Sequence, residues 1–457
     1  MPFNANLLLR RLLDLQGEVT ARRYLVGFSG GLDSTVLTHA LRHAPGRGAP
    51  IVAVHVNHAM QPDAEAWEEH CRRVAEALQV EFIARTVEVV DDRGIGLEAA
   101  GREARYTAIR ALMQEGDVVL SAHHEDDQAE TLLLNLMRGS GMAGLAGIGA
   151  SQPFGPGLLI RPMLGVSRQD IERYAGEFEL QWIDDPSNLD LRFDRNYLRQ
   201  QILPRLRQRW PAVTARLSHS AELAGEAARL QDELARLDLR ELVETADDDV
   251  AAAPDRLDIA GLAKLSSARQ RNVLRCAIKA CGLPQAPASR LRQIQDELLP
   301  ARKDAGPLVR WRGAEVRRYR TKLYLLRGSR PGWRVEAATP LVLYGDGKEI
   351  HLGPFGTLRL ERVTGRAEPG IDPELVAEGL TLRFRTGGEK IKPYGRKDTR
   401  PLKKLLQEHA VVPWMRQNLP LLYADDTLVA VADLWIAADC ARDDGFRVRW
   451  NSKPSLF

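Results

Sequence analysis

Cysteine is scarce in this 457-residue chain. Cys71, Cys276, Cys281 and Cys440 are scattered, with no Cys-x-x-Cys pair and no Cys/His cluster at metal-ligand spacing. This argues against a disulfide framework, a zinc site or an iron–sulfur site. The four thiols read as buried or idle. Long apolar runs are missing too, with no uninterrupted stretch approaching the roughly 18 residues of a membrane span. The opening segment, Met-Pro-Phe-Asn-Ala-Asn-Leu-Leu-Leu-Arg-Arg, lacks the apolar core and small-residue cleavage site of a signal peptide. These absences point to a cytoplasmic protein without a membrane partner. There is no internal repeat, no low-complexity tract and no dominant charge. The 64 Lys and Arg nearly balance 61 Asp and Glu, for a net charge of +3.

What is present fits a globular chain: 44% hydrophobic and 27% charged residues. At roughly 100–200 residues per domain, the length suggests two to four domains. The balanced charge is unevenly spread. Residues 191–210 hold six Arg against one Asp, and residues 381–410 hold nine Lys and Arg against three Asp and Glu. Two separate basic segments suit a nucleic-acid backbone.

Residues 24–28, 51–56, 81–87 and 117–122 read as strands. Residues 35–43, 63–78, 97–113 and 125–138 read as helices. Strand–helix repetition implies α/β architecture: a parallel, Rossmann-like sheet with helices on both faces. Ligands in such sheets sit beyond the carboxyl ends of the strands, where Ser29, His55 and His123 fall. Residues 212–247 and 268–299 have helical spacing, the latter broken by Gly282-Leu283-Pro284. Residues 310–326 alternate like strands, and Ser329-Arg330-Pro331-Gly332 signals a turn or linker. Short β-like runs follow at 341–344 and 357–363, then a basic helix with a strand pair within 402–439. The expected division is a catalytic α/β domain at 1–212, a mostly helical middle domain at 213–328 and a small α+β domain at 334–457.

Ser29-Gly30-Gly31-Leu32-Asp33-Ser34-Thr35 follows a strand and opens a helix. The glycines allow a tight turn that aims several N–H groups at one point. The helix N-terminus adds partial positive charge, which makes an anion site. Ser29, Ser34 and Thr35 add hydroxyls, and Asp33 suits either Mg2+ or orientation of the loop. The plainer alternative is an ordinary β–turn–helix junction with a Ser or Asp cap. No Gly-Lys-Ser/Thr follows, so the loop is not a P-loop, and it is not Gly-x-Gly-x-x-Gly either.

The loop resembles the PP-loop of N-type ATP pyrophosphatases, a superfamily that makes adenylated intermediates and releases pyrophosphate. Residues 29–34 are then the ATP cradle. Glutamine-dependent members carry a nucleophilic Cys, at the extreme N-terminus in asparagine synthetase, but residue 2 is Pro here. tRNA thiolases use paired cysteines, which this chain lacks. An amine supplied as a free substrate is the remaining nucleophile. His55-Val56-Asn57-His58, the block from Ala122 to Thr131, Arg138-Gly139-Ser140-Gly141, Gly144-Leu145, Arg161-Pro162, Asp185-Pro186-Ser187-Asn188, Arg195-Asn196, Arg199 and Pro204 follow in order. This set, over residues 24–205, resembles the tRNA(Ile)-lysidine synthetase family. Leu382-Arg383, Lys403-Lys404-Leu405, Val412-Pro413-Trp414 and Arg416 extend the resemblance to the C-terminal part.

The resemblance implies a ligase that joins free L-lysine to the wobble cytidine of a minor isoleucine tRNA with anticodon CAU. ATP adenylates the ring carbonyl, lysine displaces AMP, and decoding changes from Met to Ile. ATP is a substrate, and Mg2+ is the implied cofactor, with Asp33 as its candidate ligand. Asp33, His123, Asp127, Glu130 and Arg105 are the candidate catalytic residues. Asp127 and Glu130 stand three apart on one helix and share a face, so they are expected to grip an amino group of lysine. The alternative is an acid-rich helix start. His123 and Arg105 are expected to neutralise the α-phosphate, with a surface Glu–Arg pair as the alternative for Arg105. Arg195 and Arg199, four apart, are expected to clamp tRNA phosphate rather than form a solvated face. Arg383, Lys403 and Lys404 complete the expected tRNA contacts. No protein partner is implied, and a homodimer stays open. A small-molecule amidating PP-loop ligase, a thiolase, and a nucleotide- or RNA-binding protein without catalysis are the competing classes.

Overall fold

Strands buried almost without a break build the first layer of order. The structure, a computed structural model, describes residues 3–58, 64–89, 96–243, 255–302, 305–328, 341–363 and 369–453. The turn expected at residues 329–332, the start of the helix expected at 63 and the end of that expected at 247 lie outside them. The chain divides into two compact units, Met1–Leu234 and Ala235–Phe457.

The first unit runs α1 (Ala5–Gln16), β1 (Arg23–Gly27), α2 (Leu32–Arg42), β2 (Ile51–Asn57), α3 (Ala64–Ala77), β3 (Glu81–Thr86), α4 (Leu97–Leu112), β4 (Asp117–Leu120) and α5 (Glu125–Met137). It continues with α6 (Met142–Leu145), β5 (Ser151–Phe154), β6 (Gly157–Ile160), α7 (Arg168–Glu177), α8 (Asp194–Tyr197) and α9 (Leu203–Arg209). A 30-residue helix, α10 (Val213–Leu242), leads across the boundary.

The six strands form one sheet in the order β3-β2-β1-β4-β6-β5. All neighbours are parallel except the β5–β6 hairpin. Tyr24 and Val26 of β1 pack with α1, α2, α3 and α7, whereas Leu25 packs with α4 on the opposite face. Both faces are therefore covered, as the near-continuous apolar runs require. The strand order reverses around β1, so the crevice beyond the carboxyl ends of β1 and β4 is the place where such sheets bind ligands.

The expected strands and helices of this unit are all present, with α2 starting three residues earlier than its apolar spacing suggests because Gly31 is its N-cap. The β5–β6 hairpin was not expected. Pro153 and the glycines around it hide its alternation, and Gly157 has no room for a Cβ, which would lie 2.0 Å from the Asp117 carbonyl oxygen.

In the second unit, helices Ile259–Lys264, Ser267–Ala280 and Ala288–Gln293 accompany a four-stranded antiparallel sheet. Its strands are ordered Arg256–Asp258, Lys322–Arg327, Ala314–Tyr319 and Leu308–Trp311. The remainder builds two five-stranded sheets, a two-stranded sheet and helices Pro373–Glu378 and Leu402–Glu408, around a core that includes Leu380, Leu405, Leu421 and Val429. Among the described residues, no helix is long and apolar enough to cross a membrane.

Candidate active site

The loop between β1 and α2 leaves the sheet after Phe28, whose N–H still donates to the Val54 carbonyl at 2.9 Å. Gly30 has φ +79°, a left-handed conformation that favours glycine. A Cβ there would lie 2.7 Å from Cys71 Sγ beneath the loop. Hydroxyls hold the turn from within. Ser34 Oγ accepts the Ser29 N–H at 3.2 Å and donates to the Gly31 carbonyl at 3.0 Å. Thr35 Oγ1 also donates to that carbonyl at 3.0 Å. Gly31 gives α2 no side-chain cap. The first amides of the helix are thus left for an anion.

Asp33, on the first turn of α2, is not isolated. Arg168 Nη1, at the start of α7, donates to Asp33 Oδ1 at 2.8 Å. Burial raises the Asp33 pKa above the ordinary carboxylate value, against the opposing pull of His124 and Arg168. His124 is the N-cap of α5 and is almost fully buried. The Asp126 N–H donates to His124 Nδ1 at 3.2 Å, so in the neutral ring the proton sits on Nε2. That nitrogen faces two carboxylates, 3.7 Å from Asp33 Oδ2 and 3.6 Å from Asp127 Oδ2. His124 therefore joins the glycine loop to the acidic start of α5.

Asp127 caps α5 in return, its Oδ2 accepting the His124 N–H at 3.0 Å. Burial works to raise its pKa, but His124, His123 and Arg199 overcome this and hold it down to about 2. Glu130, one turn on, has no exposed side-chain surface. Its carboxylate accepts from Arg199 Nε at 2.7 Å and from Arg199 Nη2 at 3.0 Å. Arg199 Nη2 also reaches Asp127 Oδ1 at 3.2 Å. The arginine lies in a π-helical turn, Leu198–Ile202, between α8 and α9. Such widened turns recur at functional sites.

Several expectations need correction. Arg195 and Arg199 do not form an outward phosphate clamp. Arg199 forks onto Glu130, and Arg195 Nη2 donates to Thr131 Oγ1 at 2.9 Å. Two acids on α5 inside a low-dielectric cleft draw in the cations that would otherwise be solvated. Arg207 of the same basic segment likewise donates to Asp126 Oδ2 at 2.6 Å. His123 does not supply positive charge, because burial pushes its imidazole down to about 3. Its Nδ1 is 2.7 Å from Ser121 Oγ, so it can offer only a neutral hydrogen bond. Arg105 is exposed and stands apart from the acidic cluster, with Nη2 3.4 Å from His58 Nε2 near the end of β2. Arg383 is engaged locally, 3.2 Å from Asp426 Oδ1 and 4.6 Å from the Tyr423 ring. Lys403 and Lys404 are exposed on the first turn of Leu402–Glu408.

The structure thus brings together Ser29 to Ser34, Asp33, Asp127 and Glu130. It adds Arg168, which sequence reasoning did not place in the site, gives His124 a bridging position between Asp33 and Asp127, and sets Arg199 on the α5 acids. A signal existed for Arg168, since Ser167 and Asp170 mark the start of α7 just before and after it.

Among the described residues, no three His, Cys, Asp or Glu side chains converge into a ready-made metal cage. Mg2+ needs less, since it commonly takes one or two carboxylates together with phosphate oxygens and water. Asp33 and Asp127 flank His124 Nε2 and supply hard oxygen donors, so the residues fit an ion that arrives with a nucleotide.

A glycine turn and uncapped helix at a sheet switch point, facing an acidic helix start, define a PP-loop ATP-using enzyme. Residues 5–206 match the family model described as the PP-loop domain. Residues 257–324 match the TilS substrate binding domain, and residues 380–450 match the TilS substrate C-terminal domain. A tRNA(Ile)-lysidine synthase from Alkalilimnicola ehrlichii is 41% identical over 438 residues, which cover 94% of this chain and 93% of the relative. One from Coxiella burnetii is 40% identical over 410 residues, covering 89% and 88%. The chain belongs to the tRNA(Ile)-lysidine synthase family. Among solved structures, the U34-tRNA thiolase NcsA from Methanococcus maripaludis aligns at 17% identity and a TM-score of 0.40, covering 48% of this chain and 78% of its own.

Proposed function

We propose that this enzyme joins free L-lysine to the wobble cytidine of a CAU-anticodon isoleucine tRNA, changing its decoding from Met to Ile. The observation that carries this reading is His124 Nε2 lying between Asp33 and Asp127. It supports a reading in which the glycine loop takes a triphosphate and the acidic start of α5 takes an ammonium beside it.

The glycine loop and the uncapped start of α2 hold the phosphates of ATP. Asp33 would hold Mg2+, which would offset phosphate charge, leaving Asp127 for lysine. The cytosine carbonyl oxygen attacks the α-phosphorus, the bond to the bridging oxygen breaks, and pyrophosphate leaves. The amine of lysine then attacks the ring carbon, and AMP leaves with the former carbonyl oxygen. Asp127 stays ionised and serves as an electrostatic grip on the lysine ammonium rather than as its base. Glu130, expected to share the grip, is fully buried with both oxygens on Arg199, so it positions Arg199 beside Asp127 and does not touch lysine. The proton of the attacking amine passes to water. His123 donates a neutral hydrogen bond toward the reacting phosphate.

In this reading the protein works in the cytoplasm. Its three parts, 1–212, 213–328 and 334–457, divide catalysis from tRNA holding, with Lys403 and Lys404 on the tRNA side. Arg195 retains a place near the RNA through its position at Thr131, while Arg105 and His58 face the nucleotide.

The test is direct. Protein, ATP, labelled lysine and CAU-anticodon tRNA are incubated together, and the RNA is digested and analysed. Label should appear in one modified cytidine, with AMP and pyrophosphate formed in equal amounts. Absence of label from the RNA, or equal labelling by other amino acids, would overturn the proposal.

A further inference from the structure

A cavity of about 570 Å³ lies within the first unit between α4 and the β5–β6 hairpin. This is well inside the roughly 300–1,000 Å³ range of ordinary ligand sites. Residues of α4 at positions 99, 102, 103, 106, 107 and 110 present one helical face to it. Phe154 of β5 and Arg161, just beyond β6, lie across from that face. None of the chemistry described above uses this space.

Its lining has an unusual make-up. The Arg110 guanidinium stands over the Phe154 ring at 4.7 Å, and that of Arg102 stands over the Tyr106 ring at 5.6 Å. Tyr106 and Phe154 meet edge to face, with centroids 5.6 Å apart. The walls therefore hold two guanidinium–aromatic layers. Arg161 is 3% exposed and donates through Nη1 to the Gly149 carbonyl at 2.6 Å. Its buried Nε has no hydrogen-bond partner among the described residues. Three arginines face a single acid, Glu103, in the lining, so the cavity is positively charged and asks for an anion.

The cavity also adjoins the active site. Thr131 lines it, and Thr131 Oγ1 donates to the Asp127 carbonyl at 2.7 Å while accepting from Arg195. Arg161 and Arg102 both act electrostatically on His123.

We propose that this cavity receives an unstacked nucleotide next to the reacting base of the RNA substrate. Flat guanidinium planes backed by aromatic rings are stacking platforms for a base, and the edges of the same guanidinium groups reach its phosphate. A small apolar ligand would leave three cations unmatched, and a simple anion would leave the platforms unused. Holding the neighbour splays the anticodon loop and frees the reacting cytidine to enter the crevice beside Asp127. This site rests on the reading that a tRNA base is the acceptor.

The experiment uses the full chain with CAU-anticodon transcripts. Arg102→Glu/Arg110→Glu reverses charge at the rim, and Thr107→Trp fills the space while removing nothing charged. Both should raise the tRNA KM about tenfold while ATP and lysine KM values stay at the wild-type level. An abasic nucleotide beside the wobble position should weaken the wild type similarly, yet add no further loss in Thr107→Trp. A tRNA KM unchanged in both variants, or fully additive losses with the abasic transcript, would overturn the site. A rise in ATP KM instead would make the cavity part of the nucleotide site, and the proposal would fail. Wild-type protein that adds no lysine to the transcript would remove the parent reading and this one together. An active wild type with unaffected variants would remove this one alone.

Discussion

Arg199 and Glu130 form a forked ion pair, with Nε and Nη2 of the arginine 2.7 and 3.0 Å from the two carboxylate oxygens. Glu130 has no solvent-exposed side-chain surface, and burial raises its pKa against the opposing pull of Arg199 and of Arg195, whose Nε lies 3.9 Å from Oε2. Glu130 in turn holds the Arg199 guanidinium on the acids of α5, while part of the arginine side chain stays exposed. Arg199→Met leaves this carboxylate buried without its partner. The expected cost is about 3 kcal/mol of unfolding free energy, and Arg199→Met/Glu130→Gln should recover much of it. Urea unfolding of the two variants measures both values. Unchanged stability with weakened tRNA binding would return Arg199 to the outward phosphate clamp.

Asp127 keeps an oxygen toward His124 and the glycine loop, and its pKa is held down to about 2. At neutral pH it is a fixed negative charge, suited to an ammonium. Asp127→Ala should raise the lysine KM by about tenfold or more, with little change in ATP binding. Steady-state kinetics in lysine, paired with nucleotide-binding titrations, separate the two. A lysine KM that stays put would contradict the grip.

His123 sets a second pH effect. Its folded pKa, about 3, lies below the ordinary imidazole value of 6.5. The unfolded chain therefore binds the extra proton throughout that interval, and stability rises with pH across it. The stability contributed by neutral His123 is complete above about pH 6.5 and is lost as pH falls toward 3. His123→Gln should flatten the pH dependence of stability in that window and leave it unaltered above pH 7. Urea midpoints from pH 4 to pH 8 provide the check. An equal slope in both proteins would show that His123 is protonated in the folded state.

The sequence revealed the glycine loop and the α5 acids because both are local: a turn with its helix start, and two carboxylates one helical turn apart. The strand–helix order was legible for the same reason, since its periodicities are short. The direction of Arg199 was not. Glu130 lies 69 positions away, and a π-helical turn shifts the face that simple spacing assigns to the arginine. The β5–β6 hairpin was hidden by four-residue strands containing Pro153. His124 was visible as part of His123-His124, but only its hydrogen bond as an N-cap distinguishes it from its neighbour.

Lys403 and Lys404 are the exposed pair left from the expected tRNA contacts, whereas Arg383 is turned onto Asp426 and Tyr423. Lys403→Glu/Lys404→Glu should weaken tRNA binding and reduce the dependence of affinity on salt, leaving ATP binding unaffected. Filter binding over a salt series reads both. Arg383→Ala should have the smaller effect on salt slope. If the order is reversed, the local pairing of Arg383 opens when RNA binds.

Gly30 tests the loop itself. With φ at +79°, an alanine there costs about 1–3 kcal/mol in backbone strain alone. Its Cβ would also meet Cys71 Sγ at 2.7 Å, and Cys71 is fully buried against the loop. Two separate penalties therefore act at one position, and they can be pulled apart. Gly30→Ala should lower both stability and ATP affinity. Adding Cys71→Ala removes the collision but not the φ strain, so the double variant should regain part of the stability. ATP affinity should remain low, because the strained loop no longer aims its amides at one phosphate. Thermal unfolding with and without ATP distinguishes the two contributions. Full recovery of ATP affinity in the double variant would mean that the sulfur contact, rather than the left-handed turn, requires glycine at this position.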